Sequence, residues 1–202
     1  LGLGDGSRIV VYDDSIYKTS ARAWWMLSLF GAHDVAILDG GLAKWTAEGR
    51  PLASGKENLR HRHFTAWSEA KKLRSKADVL AILEHRGEQL VDARGPGRFT
   101  GDDPEPRPGI APGHIPGARN VPYARMFNED GTFKDKKGLG QAFADAGVDL
   151  GKPVVTSCGS GVTACVLAFA MHLRGKQDVA LYDGSWSEWG SDPDTPKATG
   201  TA

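Results

Sequence analysis

Two kinds of apolar stretch alternate along this chain. Short valine-bearing runs at 10–12, 35–38, 154–156 and 179–182 predict strands. Longer apolar stretches at about 19–30 and 163–173 predict helices, as do "SKADVLAILEHRG" from Ser75 and "LGQAFADAG" from Leu139. Between these last two, "QLVDAR" predicts a strand and "ARNVP" a short one. Strands that alternate with helices form βαβ units on a parallel sheet, so the expected class is α/β.

The same order of elements occurs twice. Shifting residues 9–45 by 144 positions lays them without a gap on 153–189, with 11 identities in 37. "DVAILDGGLAKW" falls on "DVALYDGSWSEW", and "VVYDD" falls on "VVTSC". An internal copy of this kind predicts two tandem units of one fold. The second copy follows the helices and strands of 66–152, so symmetry predicts a matching region upstream of Leu1. The stretch 48–63 is polar and punctuated by proline and glycine, which suits a linker.

Composition narrows the possibilities without choosing among them. The 202 residues hold 25 basic and 25 acidic side chains, enough for one or two domains and with no bias toward nucleic acid or an anionic membrane surface. The longest apolar run, 164–173, is interrupted by His172 and is too short to cross a bilayer. Two cysteines give no disulfide framework, which favours a reducing compartment: the cytoplasm, with a mitochondrial location as the alternative.

Chemistry concentrates in "TSCGSGVTAC", 156–165, where a strand becomes a helix. Glycines let successive backbone N–H groups turn inward and form a concave anion nest, next to a helix N-terminus that favours a thiolate. Cys158 is thus expected to be a sulfur nucleophile. In the first copy the aligned residue is Asp14, and its loop "DSIYKT" has lost both glycines, so that copy keeps only the scaffold. The expected division is the C-terminal part of an inactive unit at 1–55, a linker at 56–65, a catalytic unit at 66–190 and a mobile tail at 191–202. Cys165, inside an apolar helix, reads as a packing residue. A cysteine-dependent phosphatase would need arginine six residues after the cysteine, where this chain has Ala164.

Four segments in order, "ARAWWMLSLFGAHDVAILDGGLAKW", "LVDARGPGRFTGDDPEPRPGIAPGHIPGARNVP", "CGSGVTAC" and "VALYDGSWSEW", resemble the rhodanese superfamily, and most closely its tandem-domain 3-mercaptopyruvate sulfurtransferases. The resemblance implies a rhodanese-like three-layer sandwich with a parallel central sheet, present in two tandem copies of which the first is N-terminally truncated. It implies that Cys158 carries a persulfide, that Gly159, Gly161, Val162 and Thr163 cradle it with their amides, and that Ser160 contacts the substrate carbonyl or relays a proton. Arg98 and Arg107 match the family's substrate arginines. The neutral Gly159 and Ser160 stand where thiosulfate enzymes typically carry basic residues, which favours 3-mercaptopyruvate over thiosulfate as donor. The implied acceptor is a thiol, such as thioredoxin or a small thiol, or cyanide, and no cofactor or metal is implied.

Other features are expected to be scaffold. Asp92, Arg94 and His114 read as structural positions, and Thr163 as a helix cap in addition to its place in the loop. Trp186, Glu188 and Trp189 are expected to cover the cysteine loop, and Arg22, Trp24 and Trp25 to bury an interface between the two units. "GPGRFTG" loosely resembles a dinucleotide loop, but Pro96 lies inside it and "DDPEPRPG" follows where a helix should begin. A rhodanese module kept only for protein interaction is a further alternative, against which the complete cysteine loop argues.

Overall fold

A computed structural model describes residues 2–56 and 58–201. The chain runs β1 (Ile9–Val11), α1 (Ser20–Leu29), β2 (Val35–Ile37) and α2 (Gly41–Ala47), then a stretch, 50–56 and 58–69, whose described residues form no regular element. It continues through β3 (Leu73–Arg74), α3 (Lys76–His85), β4 (Gln89–Asp92), α4 (Pro96–Thr100), β5 (Arg119–Asn120) and α5 (Lys136–Ala144). The last elements are β6 (Val154–Ser157), α6 (Ala164–Leu173), β7 (Val179–Tyr182) and α7 (Ser185–Trp189). Every predicted strand and helix is present to within a few residues. Sequence periodicity missed α2, α4, α7 and β3, all short.

The strands make two sheets. β1 and β2 pair in parallel by themselves, while β3-β7-β6-β4-β5 form a five-stranded sheet in which every pairing is parallel. Side chains alternate across this sheet as a period of two requires. Leu90, Val155, Ala180 and Tyr182 face a core with Val79 and Ile82 of α3 and Trp186 and Trp189 of α7. Val91, Val154 and Leu181 face the opposite core, built on α5, α6 and α1. Both faces are therefore covered, giving three layers.

Helix α6 explains how the two parts of the chain join. Its residues 164–171 are all buried, and a helix that is apolar all round must be enclosed on every side. The sheet covers one side and α1 the other, with Trp24 edge-on to Phe169 at 4.9 Å between ring centres. Trp24 and Trp25 of α1 are buried in the same core as α6.

The elements also recur at the spacing of the sequence repeat. Adding 144 to α1, 20–29, gives the bounds of α6, 164–173, and adding it to the starts of β2 and α2 gives those of β7 and α7.

The end of the stretch that reads as a linker is tied to the start of the chain: Asp5 N–H donates to the His63 carbonyl, and Thr65 donates to the Asp5 carboxylate from both N–H and Oγ1 at 2.8 Å. The tail is also held, through 200. His114 and Ala198 exchange backbone hydrogen bonds at 2.8 and 2.9 Å, and Trp189 Nε1 donates to the Pro196 carbonyl at 2.8 Å. A polar composition suggests a mobile end, but His114 lies 84 residues before Ala198, so this pairing carries no local signal.

Candidate active site

The four residues of β6 are buried, and the chain emerges from the sheet at Cys158, which is 1% exposed. The next five residues form the turn into α6. Their outer side is held by α7: Trp186 N–H donates to the Cys158 carbonyl at 2.9 Å, and Ser187 donates to the Gly159 carbonyl from its N–H (2.9 Å) and Oγ (2.6 Å). Ser185 Oγ accepts from the Cys158 N–H at 3.2 Å. Among the described residues, the N–H groups of Gly159, Ser160, Gly161, Val162 and Thr163 have no protein acceptor. Five consecutive N–H groups beside a sulfur are thus left available to a ligand.

The loop opens into a cavity of about 310 Å³. Of the residues singled out in the sequence, Cys158, Gly159, Ser160, Val162, Thr163, Arg98 and Arg107 line it, as does Arg94, read there as structural. Gly161 does not; it is buried behind them with φ +76°, and a Cβ there would lie 3.0 Å from the Asp183 carbonyl oxygen. Thr163 occupies the N-cap position of α6, but its side chain makes no capping bond, contrary to expectation. Helix α4 begins at Pro96, where a missing N–H costs nothing, and the segment is not a dinucleotide loop.

Of the cavity residues that went unnoticed in the sequence, three carry polar groups that bear on the site. Tyr17 comes from the loop between β1 and α1, and Tyr123 joins it by donating from its hydroxyl to the Ile16 carbonyl at 3.2 Å. Burial pushes the Tyr123 phenol above its ordinary value, so it stays protonated. The third, Glu105, has a side chain only 3% exposed and accepts from Arg94 Nη1 (2.8 Å) and from Arg98 Nε (3.2 Å) and Nη2 (2.6 Å). A glutamate between prolines reads as a surface residue, so only its spatial partners reveal it.

The charges of this wall nearly cancel. Arg94, 1% exposed, forks onto Asp92 and donates to the Gly113 carbonyl at 2.7 Å, with Trp186 stacked 4.6 Å from its guanidinium. Pairing Arg94 with Asp92 and Arg98 with Glu105 leaves Arg107, which is exposed and has no ion pair among the described residues. The wall therefore carries about one net positive charge. His114 is scaffold: its Nδ1 bonds the Phe99 carbonyl at 2.8 Å and its ring stacks on Phe99 at 3.8 Å.

The loop before α1, which the sequence repeat aligns with the cysteine loop, is filled by its own side chain. Asp13 accepts from the Ser20 N–H and from Thr19 Oγ1, so a carboxylate occupies the start of α1. Asp14, the residue aligned with Cys158, is exposed instead. Cys165 is fully buried and donates from Sγ to the Gly161 carbonyl at 3.1 Å; burial pushes its thiol up to about 12. Both cysteines are free. No helix among the described residues is long and apolar enough to cross a membrane.

The sequence pattern of the rhodanese-like domain matches residues 1–48 and 75–192. The chain belongs to the rhodanese-like domain family. Within it, the human protein named 3-mercaptopyruvate sulfurtransferase is 44% identical over 191 residues, covering 94% of this chain and 64% of the human protein. A thiosulfate sulfurtransferase of Cricetulus griseus is 42% identical over 192 residues, covering 94% and 65%. The crystal structure of SseA from Escherichia coli, described among 3-mercaptopyruvate sulfotransferases, superposes with a TM-score of 0.80 at 38% identity, covering 93% of this chain and 70% of that one. This rhodanese-like chain thus spans somewhat less than two thirds of the length of the human protein.

Proposed function

We propose that this protein is a sulfurtransferase that takes sulfur from 3-mercaptopyruvate, holds it as a persulfide on Cys158 and passes it to an acceptor thiol, such as thioredoxin or a small thiol, or to cyanide. The observation that carries this reading is the run of five amides without a protein acceptor that follows Cys158, in a loop of which Cys158, Gly159, Ser160, Val162 and Thr163 line the cavity. Cys158 thiolate attacks the substrate sulfur, and the carbon–sulfur bond breaks. Its electron pair passes into the enolate of pyruvate, which takes up a proton. The sulfur remains as a cysteine persulfide, whose negative charge the amides of 159–163 stabilise. An acceptor thiolate then attacks the outer sulfur and displaces Cys158 thiolate; cyanide would leave as thiocyanate. No cofactor enters these steps.

Substrate choice follows from the charge of the wall. With Arg98 held by Glu105, Arg107 is the cation left to meet a carboxylate, which suits a substrate with a single fixed charge better than a dianion. Ser160, exposed on the cavity, is available to the substrate carbonyl. Thiosulfate is the second donor to test, because relatives of nearly equal identity are named for it. We also propose that residues 1–55 belong to a first, non-catalytic rhodanese-like unit, joined by a linker at 56–65 to the catalytic unit at 66–190. The repeat of element bounds at 144 residues and the self-filled loop at Asp13 support that division.

The test is incubation with each donor followed by intact-mass measurement. A gain of one sulfur, lost in Cys158→Ser, is expected with 3-mercaptopyruvate and to a lesser extent with thiosulfate. No gain with either donor would refute the enzyme reading and leave a binding module.

A further inference from the structure

We propose that Arg22, on α1 of the first unit, is a positioning residue for the reaction at Cys158. It acts by holding the Gly161 carbonyl so that the following amide, Val162 N–H, points into the sulfur cradle. The inference rests on the persulfide reading above and adds a requirement to it: the first unit completes the nest of the second.

The argument begins with the peptide plane. In a planar trans peptide, the carbonyl of one residue and the N–H of the next point in opposite directions. Whatever grips a loop carbonyl from outside therefore aims the next N–H inward. For Cys158 and Gly159 the grip comes from α7, a neighbour on the same sheet, through Trp186 and Ser187. For Gly161 it comes from Arg22 Nη1 at 3.3 Å, a residue 139 positions earlier, with Cys165 Sγ as second donor at 3.1 Å.

Arg22 is itself fixed in place. Its guanidinium forms an ion pair with Asp183, which follows β7, with Nη2 to Oδ2 at 3.3 Å, and it lies 5.0 Å from the Trp25 ring. The room around Gly161 is filled by these groups, since a Cβ there would also lie 3.1 Å from Arg22 Nη1. One guanidinium thus ties together α1, the end of β7 and the turn of the cysteine loop. Arg22 does not line the cavity, so it cannot act by touching substrate. Arg107 does line it and would carry substrate affinity.

A positioning role predicts a split between kinetic parameters. In Arg22→Gln of the full chain, kcat with 3-mercaptopyruvate and the single-turnover rate of persulfide formation are expected to fall about tenfold, while KM stays within about twofold. Arg22→Lys, which can still donate to the Gly161 carbonyl, should recover most of the rate. Asp183→Asn, which loosens the guanidinium without removing it, should give an intermediate loss. Leu29→Ala, a buried change on the same helix away from Gly161, controls for lost stability. Wild-type persulfide formation in Arg22→Gln would overturn the proposal, as would an equal slowing by Leu29→Ala at a matched fall in Tm. A wild-type chain that forms no persulfide would instead overturn the sulfurtransferase reading itself.

Discussion

Replacing Glu105 by glutamine separates the two roles of that side chain. Its carboxylate is 3% exposed and receives three charge-assisted hydrogen bonds from Arg94 and Arg98. Removing one member of a buried ion pair costs about 3–5 kcal/mol. Glutamine keeps one acceptor oxygen, and Arg94 keeps Asp92 and the Gly113 carbonyl, so the lower end, about 3 kcal/mol, applies. For a chain of this size each kcal/mol moves Tm by about 2–4 °C, so thermal unfolding should shift down by roughly 6–12 °C.

The second effect is on substrate choice. Losing the carboxylate raises the net charge of the cavity wall from about +1 to about +2. At an effective dielectric constant of about 20 and a separation of about 6 Å, one added substrate charge gains about 3 kcal/mol. Screening in an open cavity reduces this to about 1.4 kcal/mol, a factor of about ten. The ratio of kcat/KM for thiosulfate to that for 3-mercaptopyruvate should therefore rise about tenfold, measured on protein shown to be folded at the assay temperature. An unchanged ratio would refute the charge argument, and a Tm shift below about 2 °C would refute the burial argument.

Arg107→Ala should raise KM for 3-mercaptopyruvate about tenfold or more, the value of one charged hydrogen bond, and leave Tm nearly unchanged, because the side chain is exposed and unpaired. An unchanged KM would remove it from the site. Gly161→Ala places a Cβ at φ +76° against the Asp183 carbonyl; it should cost about 1–2 kcal/mol in denaturant unfolding and slow persulfide formation more than tenfold, and full activity would contradict the account of the loop. Cys165 gives a pH signature. Its thiol is raised from 9.0 to about 12 in the folded state, so above pH 9 the unfolded chain releases this proton first and the folded state loses stability. The stability difference between wild type and Cys165→Ala should therefore shrink by about 1 kcal/mol per pH unit above pH 9, and a pH-independent difference in urea titrations would count against that burial.

Much of this protein is determined by local sequence. Valine-bearing runs and an all-apolar helix need no distant partner to be recognised, and β4, β6, β7, α1 and α6 follow from them. Cys158, its small neighbours and the repeat are equally visible, because a nest is made by consecutive residues and a copy by constant spacing. The short elements α2, α4 and α7 were not visible, since five to seven residues hold too little periodicity and are stabilised by what they pack against. The tail through 200 is likewise held by what it packs against. Only the tertiary structure decided which charges near the cavity are free. Glu105 neutralises Arg98 seven residues away, and Arg22 reaches Gly161 across 139 residues. Electrostatic balance and peptide orientation depend on distances in space, and chain spacing does not encode them.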